Sequence, residues 1–145
     1  MAAIRNRATT PNELMLDRQR DRNSSTTMEI RIVRDGITRA GLNEMAKQQF
    51  GEMVKAVVDV EQGIMAIGGE LHADEEAILL DQGSAQRHLW GINLYPERPP
   101  LEWIEFDSMI NVRPSQGNRS RSVERVDIRE AITVIVNRLV KGEVI

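Results

Sequence analysis

A β-hairpin signature at residues 53–67 constrains the fold of this chain more than any other feature. Apolar residues there alternate with charged ones, which is the period-two pattern of a strand. Gln62-Gly63 is a turn signal, and the apolar run Ile64–Ile67 follows it directly. The alternating apolar positions are Val54, Ala56, Val58 and Val60, and the charged ones are Lys55, Asp59 and Glu61. The sequence therefore predicts two antiparallel strands that are neighbours in a sheet.

Glycines, prolines and capping residues divide the rest of the chain into further elements. Thr38 can cap a first helix that Gly51 ends, and Asp127 with Glu130 has the spacing of a capping box. Strands are predicted at 29–34, 89–95 and 103–112, helices at 38–50, 73–82 and 127–140, and a loop at 114–125. The order β-α-β-β-α-β-β-α predicts an α+β fold, with a mostly antiparallel sheet of about five strands and three helices packed mainly on one face.

Residues 1–27 differ in composition from the rest of the chain. They contain five Arg against three acidic residues, and their apolar cluster at 14–16 is short. Such a segment cannot bury enough apolar surface to offset its ordering entropy. Two readings stay open: a disordered polar arm, or a stretch upstream of a true start at Met28. The single α+β domain is expected to occupy residues 28–145.

Composition excludes several classes of function. The chain has no Cys, which excludes disulfides, Cys-ligated zinc and Cys nucleophiles. Its uncharged stretches are far shorter than the roughly 18 residues of a membrane span, and the N-terminus lacks the apolar region of a secretory signal. The cytoplasm is therefore the expected location. Residues 28–145 hold 14 basic and 19 acidic residues, so general binding of polyanions is not expected.

The predicted strand 103–112 would carry two different faces. By alternation, one face would point toward helices and core and would consist of Ile104, Phe106, Ser108, Ile110 and Val112. The other would carry Trp103, Glu105, Asp107, Met109, Asn111 and Arg113. On the neighbouring strand Trp90, Ile92 and Leu94 would lie opposite Asn93 and Tyr95. The mixed face of acids, amides and aromatics is either an ordinary solvated surface or a binding face.

A second candidate is the turn Gly68–Glu75, between a strand and a helix. Glu70, His72 and Asp74 could offer oxygen and nitrogen ligands to a divalent cation. Alternatively, His72 could act as a general base, with Glu70 or Asp107 as its orienting carboxylate. The acids beside Gly68-Gly69 argue against a phosphate-binding loop. The alternative is a solvated acidic turn that caps the helix, so no metal is assigned.

A third candidate is the polar loop at 113–121. Three Arg and several amide groups follow one another in a domain that is otherwise acidic. Guanidinium groups suit phosphates and carboxylates because they can donate two parallel hydrogen bonds. The predicted anion-binding residues are Arg113, Gln116, Asn118, Arg119 and Arg121. The alternative is a flexible surface loop.

Several strings in this sequence resemble a known family. They are Met53–Glu61, Gly68–Asp74, Leu89–Pro96 and Trp103–Ser120, and they occur in this order. The chain resembles, over about residues 29–140, a family of short bacterial and archaeal proteins known as domain of unknown function family 5674. The resemblance implies a stand-alone cytoplasmic domain. It supplies no activity, cofactor, partner or catalytic residue.

Three functions from different classes remain open. The first is a binding or protein-interaction module. A homodimer would form through the 126–140 helix, whose apolar residues lie on more than one face. The second is an enzyme acting on an anionic small molecule or nucleotide, with His72, nearby carboxylates and the Arg loop in one pocket. The third, weaker because the domain is acidic, is nucleic-acid binding through residues 1–27 and the Arg loop. Membrane binding is not expected, and no cofactor is indicated.

Overall fold

The predicted hairpin forms the centre of a five-stranded sheet in the computed structural model, which describes residues 29–142. The sheet has the order β1-β4-β3-β5-β6, and every neighbouring pair in it is antiparallel. Its strands are β1 (Arg31–Val33), β3 (Val54–Asp59), β4 (Ile64–Ile67), β5 (Leu89–Leu94) and β6 (Ile104–Glu105). A separate parallel pair joins β2 (Ile37–Thr38) to β7 (Val140–Lys141), and the sequence did not predict it. The predicted α+β class and antiparallel sheet are confirmed.

Two helices cover one face of this sheet, and the third covers the other. The helices are α1 (Arg39–Gln49), α2 (His72–Asp81) and α3 (Val126–Leu139). α1 and α3 pack over the main core, which includes Ala56 and Ile92. Leu79 of α2 packs on the opposite face, against Val57 and Ala66. Successive residues of a strand point to opposite faces, so Lys55 and Gly91 lie on the α2 face.

The prediction of a strand at 103–112 is wrong beyond its first residues. Pairing stops at Glu105, and Met109–Asn111 form a 3₁₀ turn instead. The side chain of Asn111 takes the place of a paired strand: its Oδ1 accepts from the Gly91 amide at 2.8 Å, and its Nδ2 donates to the Gly91 carbonyl at 3.0 Å. Because these two bonds satisfy the edge of β5, the chain can turn here without leaving backbone groups unpaired.

Several side chains that period-two alternation places on the polar face of the sheet are buried instead. Trp103, expected on the polar side, is 1% exposed in the main core, with the Arg39 guanidinium 4.0 Å from its ring centroid. Asn111 and Arg113 are buried too. Period-two reasoning fails for these residues because Trp103 precedes the paired segment and the others follow it. For the regular strand β5 it succeeds, since Trp90, Ile92 and Leu94 all lie in the main core.

α3 begins differently from the prediction. No side chain caps its N-terminus, so the capping box expected at Asp127 and Glu130 is wrong. Asp127 is the second helical residue, and its carboxylate pairs with Arg125 at 2.6 Å. The helix is held by its apolar face instead, which buries Ile132, Val136 and Leu139.

The predicted arm at 1–27 lies outside the residues that the structure describes. Among the helices of residues 29–142, none is long and apolar enough to cross a membrane.

Candidate functional site

A cavity of about 190 Å³ opens beside the first turn of α2, and we call it the His72 cavity. Its wall comes from the segments that the sequence analysis singled out separately. The first turn of α2 provides His72, the segment after β6 provides Ser108 and Met109, and the Arg loop provides Arg121. Lys55, the second residue of β3, adds a cation, and Leu71, Ala73 and Ile110 provide an apolar part of the wall. The fold thus brings three distant candidate segments to one place.

His72 is held in one orientation against the sheet. It is the first residue of α2, is 8% exposed, and its Nε2 lies 2.8 Å from the Ile92 carbonyl oxygen. A carbonyl only accepts, so Nε2 carries a hydrogen and Nδ1 of the neutral ring is an acceptor. Burial lowers the pKa of His72 below its ordinary value of 6.5, and the hydrogen bond to Ile92 opposes that effect. The imidazole is therefore a neutral group able to accept a proton.

Gly91 provides the space for this arrangement. A Cβ added at Gly91 would lie 2.5 Å from Cβ of Ser108 and 3.2 Å from Cδ2 of His72. Gly91 has no positive φ, so the requirement is for space rather than for an unusual backbone conformation. Any side chain at this position would push apart two residues of the cavity wall.

Polar side chains cross the sheet next to His72. Lys55 on β3 is in register with Asn93 on β5, which is in register with Glu105 on β6. Asn93 Nδ2 donates to Glu105 Oε1 at 2.8 Å, and the Tyr95 hydroxyl donates to the same oxygen at 3.1 Å. Asn93 Oδ1 is buried and accepts no hydrogen bond within residues 29–142. Asn93, Tyr95 and Glu105 lie on the polar side, as predicted.

Asp107 orients Arg121 at the edge of the cavity. Arg121 Nε donates to Asp107 Oδ1 at 2.7 Å, and this bond raises the pKa of Arg121. Both side chains are about half exposed. This pair uses only Nε. The two terminal nitrogens of Arg121 make no hydrogen bond in the part of the chain that the structure describes. The guanidinium can therefore donate to a ligand.

The other acidic candidates do not meet at His72. Glu70 and Asp74 are exposed, and residues 29–142 contain no cluster of three His, Asp or Glu side chains suited to hold a metal ion. The buried acid of this turn is Glu75, whose Oε2 accepts from the Gly69 amide at 2.9 Å. Burial raises the pKa of Glu75 well above its ordinary value of 4.5. The catalytic and metal roles considered for Glu70 and Asp74 have no geometric support here.

Arg113, predicted as an anion ligand, is a buried support of the fold. Its guanidinium donates to the carbonyls of Gln86 at 2.6 Å and Ile110 at 3.1 Å, and also to the carbonyl of Leu89. It also stacks on Trp90, 4.2 Å from the ring centroid. These contacts hold the Arg loop against the first residues of β5, and they leave this guanidinium unsuited to hold a ligand.

The remaining candidates of the Arg loop divide in the same way. Asn118 is buried, and its Nδ2 donates to three carbonyls, of Asn111, Ser120 and Ser122. Gln116 accepts from Arg113 and donates to the Arg87 carbonyl. Arg119 is exposed and does not line the His72 cavity. Of the five predicted anion ligands, Arg121 alone lines this cavity, and anion binding by it stays a prediction.

The sequence analysis named Asn93 on the candidate binding face but did not assign Lys55, Gly91 or Ser108 to a site. A usable signal existed for Lys55, because a charged residue within a central strand is unusual when helices cover both faces. The turn at Ser108 could not be read from the alternation, since the pattern suggested an uninterrupted strand.

The apolar residues of α3 are mostly used within the chain itself. Ile132, Ile135, Val136, Leu139 and Val140 are buried, whereas Val126 and Val134 are each 66% exposed. Those two residues line a shallow groove together with Phe106. Self-association through α3 stays a prediction, and its exposed apolar surface is limited to this groove.

These features define a class: a small α+β domain whose antiparallel sheet carries a cavity, with both polar and apolar walls, beside a helix N-terminus. The family model described as Protein of unknown function (DUF5674) matches residues 31–139, and the chain belongs to this family. The match spans the sheet, all three helices and every residue of the His72 cavity. No curated protein matches the chain significantly. The same holds for the solved structures.

Proposed function

We propose that the protein is a binding module that takes a small anion, through its carboxylate or phosphate group, into the His72 cavity. One observation carries this proposal: Arg121 and Lys55 line the same small cavity as a buried, neutral His72. Two cations next to one acceptor suit a ligand that has both an anionic group and a polar hydrogen.

The cations are arranged in a way that supports anion binding. Asp107 holds Arg121 through Nε, which leaves the terminal nitrogens to donate to an oxyanion. Lys55 projects from the middle of the sheet and is partly buried, so its charge is less screened than that of a surface lysine. A ligand bound between them would neutralise charge that Asp107 only partly balances.

The experiment is a thermal-shift and calorimetric screen with short carboxylic acids, phosphate monoesters and divalent metal salts. We expect anionic compounds to raise the melting temperature, because a ligand that binds only the folded state stabilises it. Arg121→Gln should reduce the affinity about tenfold, since a charge-assisted hydrogen bond contributes about 1.5–3 kcal/mol. Arg119→Gln is the matched control, because it changes the same charge in the same loop outside the cavity.

Two outcomes would count against the proposal. If no anion shifts the melting temperature, the cavity is not an anion site. If Arg119→Gln weakens binding as much as Arg121→Gln does, the attraction comes from the general charge of the loop and not from the cavity.

An enzyme acting on the same anion is the second candidate. The observation that favours it is the fixed tautomer of His72, whose Nδ1 can accept a proton from a bound ligand. Proton NMR in D₂O, with a compound found in the screen, would detect exchange of its carbon-bound hydrogens. His72→Gln can still donate to the Ile92 carbonyl but cannot act as a base, so binding should remain while exchange is lost. Binding without exchange in the wild type would leave the binding module as the function.

A further inference from the structure

A second cavity, of about 210 Å³, lies on the opposite face of the sheet, and we call it the Trp90 cavity. Trp90 belongs to the main core beneath α1 and α3, whereas its neighbour Gly91 faces α2. Ile128 of α3 and Val60 provide an apolar part of the wall. The sheet therefore separates this cavity from the His72 cavity.

The polar wall of the Trp90 cavity contains cations together with the amide side chains of Gln116 and Asn118, whose oxygens accept hydrogen bonds from within the chain. Arg87, His88 and Arg125 line it, and its lining includes no Asp or Glu. Arg125 pairs with Asp127 through Nε and one terminal nitrogen, which leaves the other terminal nitrogen. The Arg87 guanidinium makes no hydrogen bond among residues 29–142. An oxyanion is the ligand chemistry that such a wall recognises.

The indole of Trp90 adds an independent observation. Trp90 is 3% exposed, and its Nε1–H has no acceptor within the described residues. Buried Trp nitrogens usually have a hydrogen-bond partner, because an unsatisfied buried donor is costly. Nε1 itself is closed off from the cavity space, so the indole contributes its ring to the wall, and the two cations Arg87 and Arg125 contribute the recognition of an oxyanion.

Arg113 makes this wall rigid. Its guanidinium stacks on the Trp90 ring and is itself held by the carbonyls of Gln86, Leu89 and Ile110. The indole is therefore fixed before any ligand binds, which lowers the entropy cost of binding. The same stacked guanidinium adds positive charge next to the cavity.

From this combination we infer that the Trp90 cavity is a second ligand site, which binds the carboxylate or phosphate group of a small molecule. Arg87 and Arg125 donate to the oxyanion, and the Trp90 ring forms part of the wall beside them. Val60 and Ile128 contact the apolar part of the ligand. The site is separate from the proposed function of the His72 cavity and does not depend on it.

The test uses the chain's two tryptophans, whose indole Nε1–H signals can be resolved by ¹H–¹⁵N NMR. Inorganic phosphate and sodium acetate are titrated in separate arms, each against sodium chloride at matched ionic strength. We expect a saturable shift of the Trp90 signal and of His88, while Trp103 serves as the internal control in the core. A shift with phosphate alone identifies a phosphate site, and a shift with both anions identifies a general oxyanion site.

Variants decide whether the shift comes from the cavity. Arg87→Gln and Arg125→Gln should each weaken binding about tenfold, and both residues are exposed, so folding should persist. Arg119→Gln is again the control and should leave the affinity unchanged. The inference is overturned if neither anion shifts Trp90 beyond the chloride control, or if all three variants weaken binding equally.

Discussion

The two cavities lie on opposite faces of one sheet and are lined by parts of the same segment, residues 108–121. In the His72 cavity, Arg121 is paired with Asp107, and His72 offers an acceptor. In the Trp90 cavity the lining contains cations and an indole ring but no carboxylate. The difference indicates that the first cavity suits a ligand with both acceptors and donors, whereas the second suits simple capture of an oxyanion.

Replacing Arg113 should have the largest effect, because both cavities depend on it. Arg113→Gln would leave the carbonyls of Gln86, Leu89 and Ile110 with fewer donors and would remove the stack on Trp90. We expect a loss of about 3 kcal/mol in the free energy of unfolding, measured by urea denaturation. Arg119→Gln, in the same loop but exposed, should change it little. Equal stability of the two variants would show that Arg113 does not support the loop.

A substitution at Gly91 should separate the two cavities. Gly91→Ala would force its Cβ against Ser108 on the α2 face, and we expect a loss of about 1–3 kcal/mol together with weaker anion binding at His72. Binding in the Trp90 cavity should persist, because that cavity lies on the other face.

The double variant Gly91→Ala/Ser108→Gly checks the cause of this effect. Removing the Ser108 side chain relieves the closest contact, so the double variant should be more stable than the sum of the single effects predicts. Strict additivity would mean that the clash is not the reason.

The pH dependence of stability should reveal two opposite contributions from the α2 face. The pKa of His72 is lowered from 6.5, so the unfolded chain binds more protons just below that pH, and stability falls as the pH drops through this range. The pKa of Glu75 is raised from 4.5, so its contribution is complete below that pH and is lost as the pH rises through the folded-state pKa.

Urea denaturation over about pH 4–8 measures both contributions. His72→Gln should remove the fall on the acidic side, and Glu75→Gln should remove the fall on the alkaline side. If both variants keep the wild-type profile, neither group is perturbed by burial.

Exposed arginines should have the smallest effect on stability. Arg121→Gln and Arg125→Gln each remove a surface ion pair, and such pairs contribute little. Denaturation curves should nearly overlay that of the wild type, while anion binding is weakened in one cavity only. A large loss of stability in either variant would assign the arginine to the fold and not to a site.

The regular elements of this fold were predictable, and its irregular ones were not. Alternation and glycine turns identified the hairpin and β5 because both are regular strands flanked by clear stop signals. The segment after β6 defeated the same argument, since the Asn111 side chain replaces strand pairing with Gly91, and period two carries no sign of that. Only the fold could show that the three candidate segments meet, and their role as a site stays a prediction.

The roles of individual arginines lay beyond sequence reasoning for a similar reason. Arg113 and Arg121 have the same chemistry in the same loop, yet one is buried among backbone carbonyls and the other is exposed beside a cavity. The burial of Arg113 depends on its contacts with Trp90 and with the Gln86 carbonyl just before β5, and both residues are distant from Arg113 in the chain.

The chain's two histidines allow one direct measurement of the central claim, because His72 lines one cavity and His88 lines the other. Imidazole NMR signals would be followed while inorganic phosphate or acetate is added to the wild type, Arg121→Gln and Arg125→Gln. We expect both histidines to respond in the wild type. Arg121→Gln should weaken the response of His72 about tenfold and leave that of His88 unchanged, and Arg125→Gln should do the reverse. If the His72 signals do not shift at any anion concentration, or if a single variant weakens the responses of both histidines, the claim of two separate anion sites is contradicted.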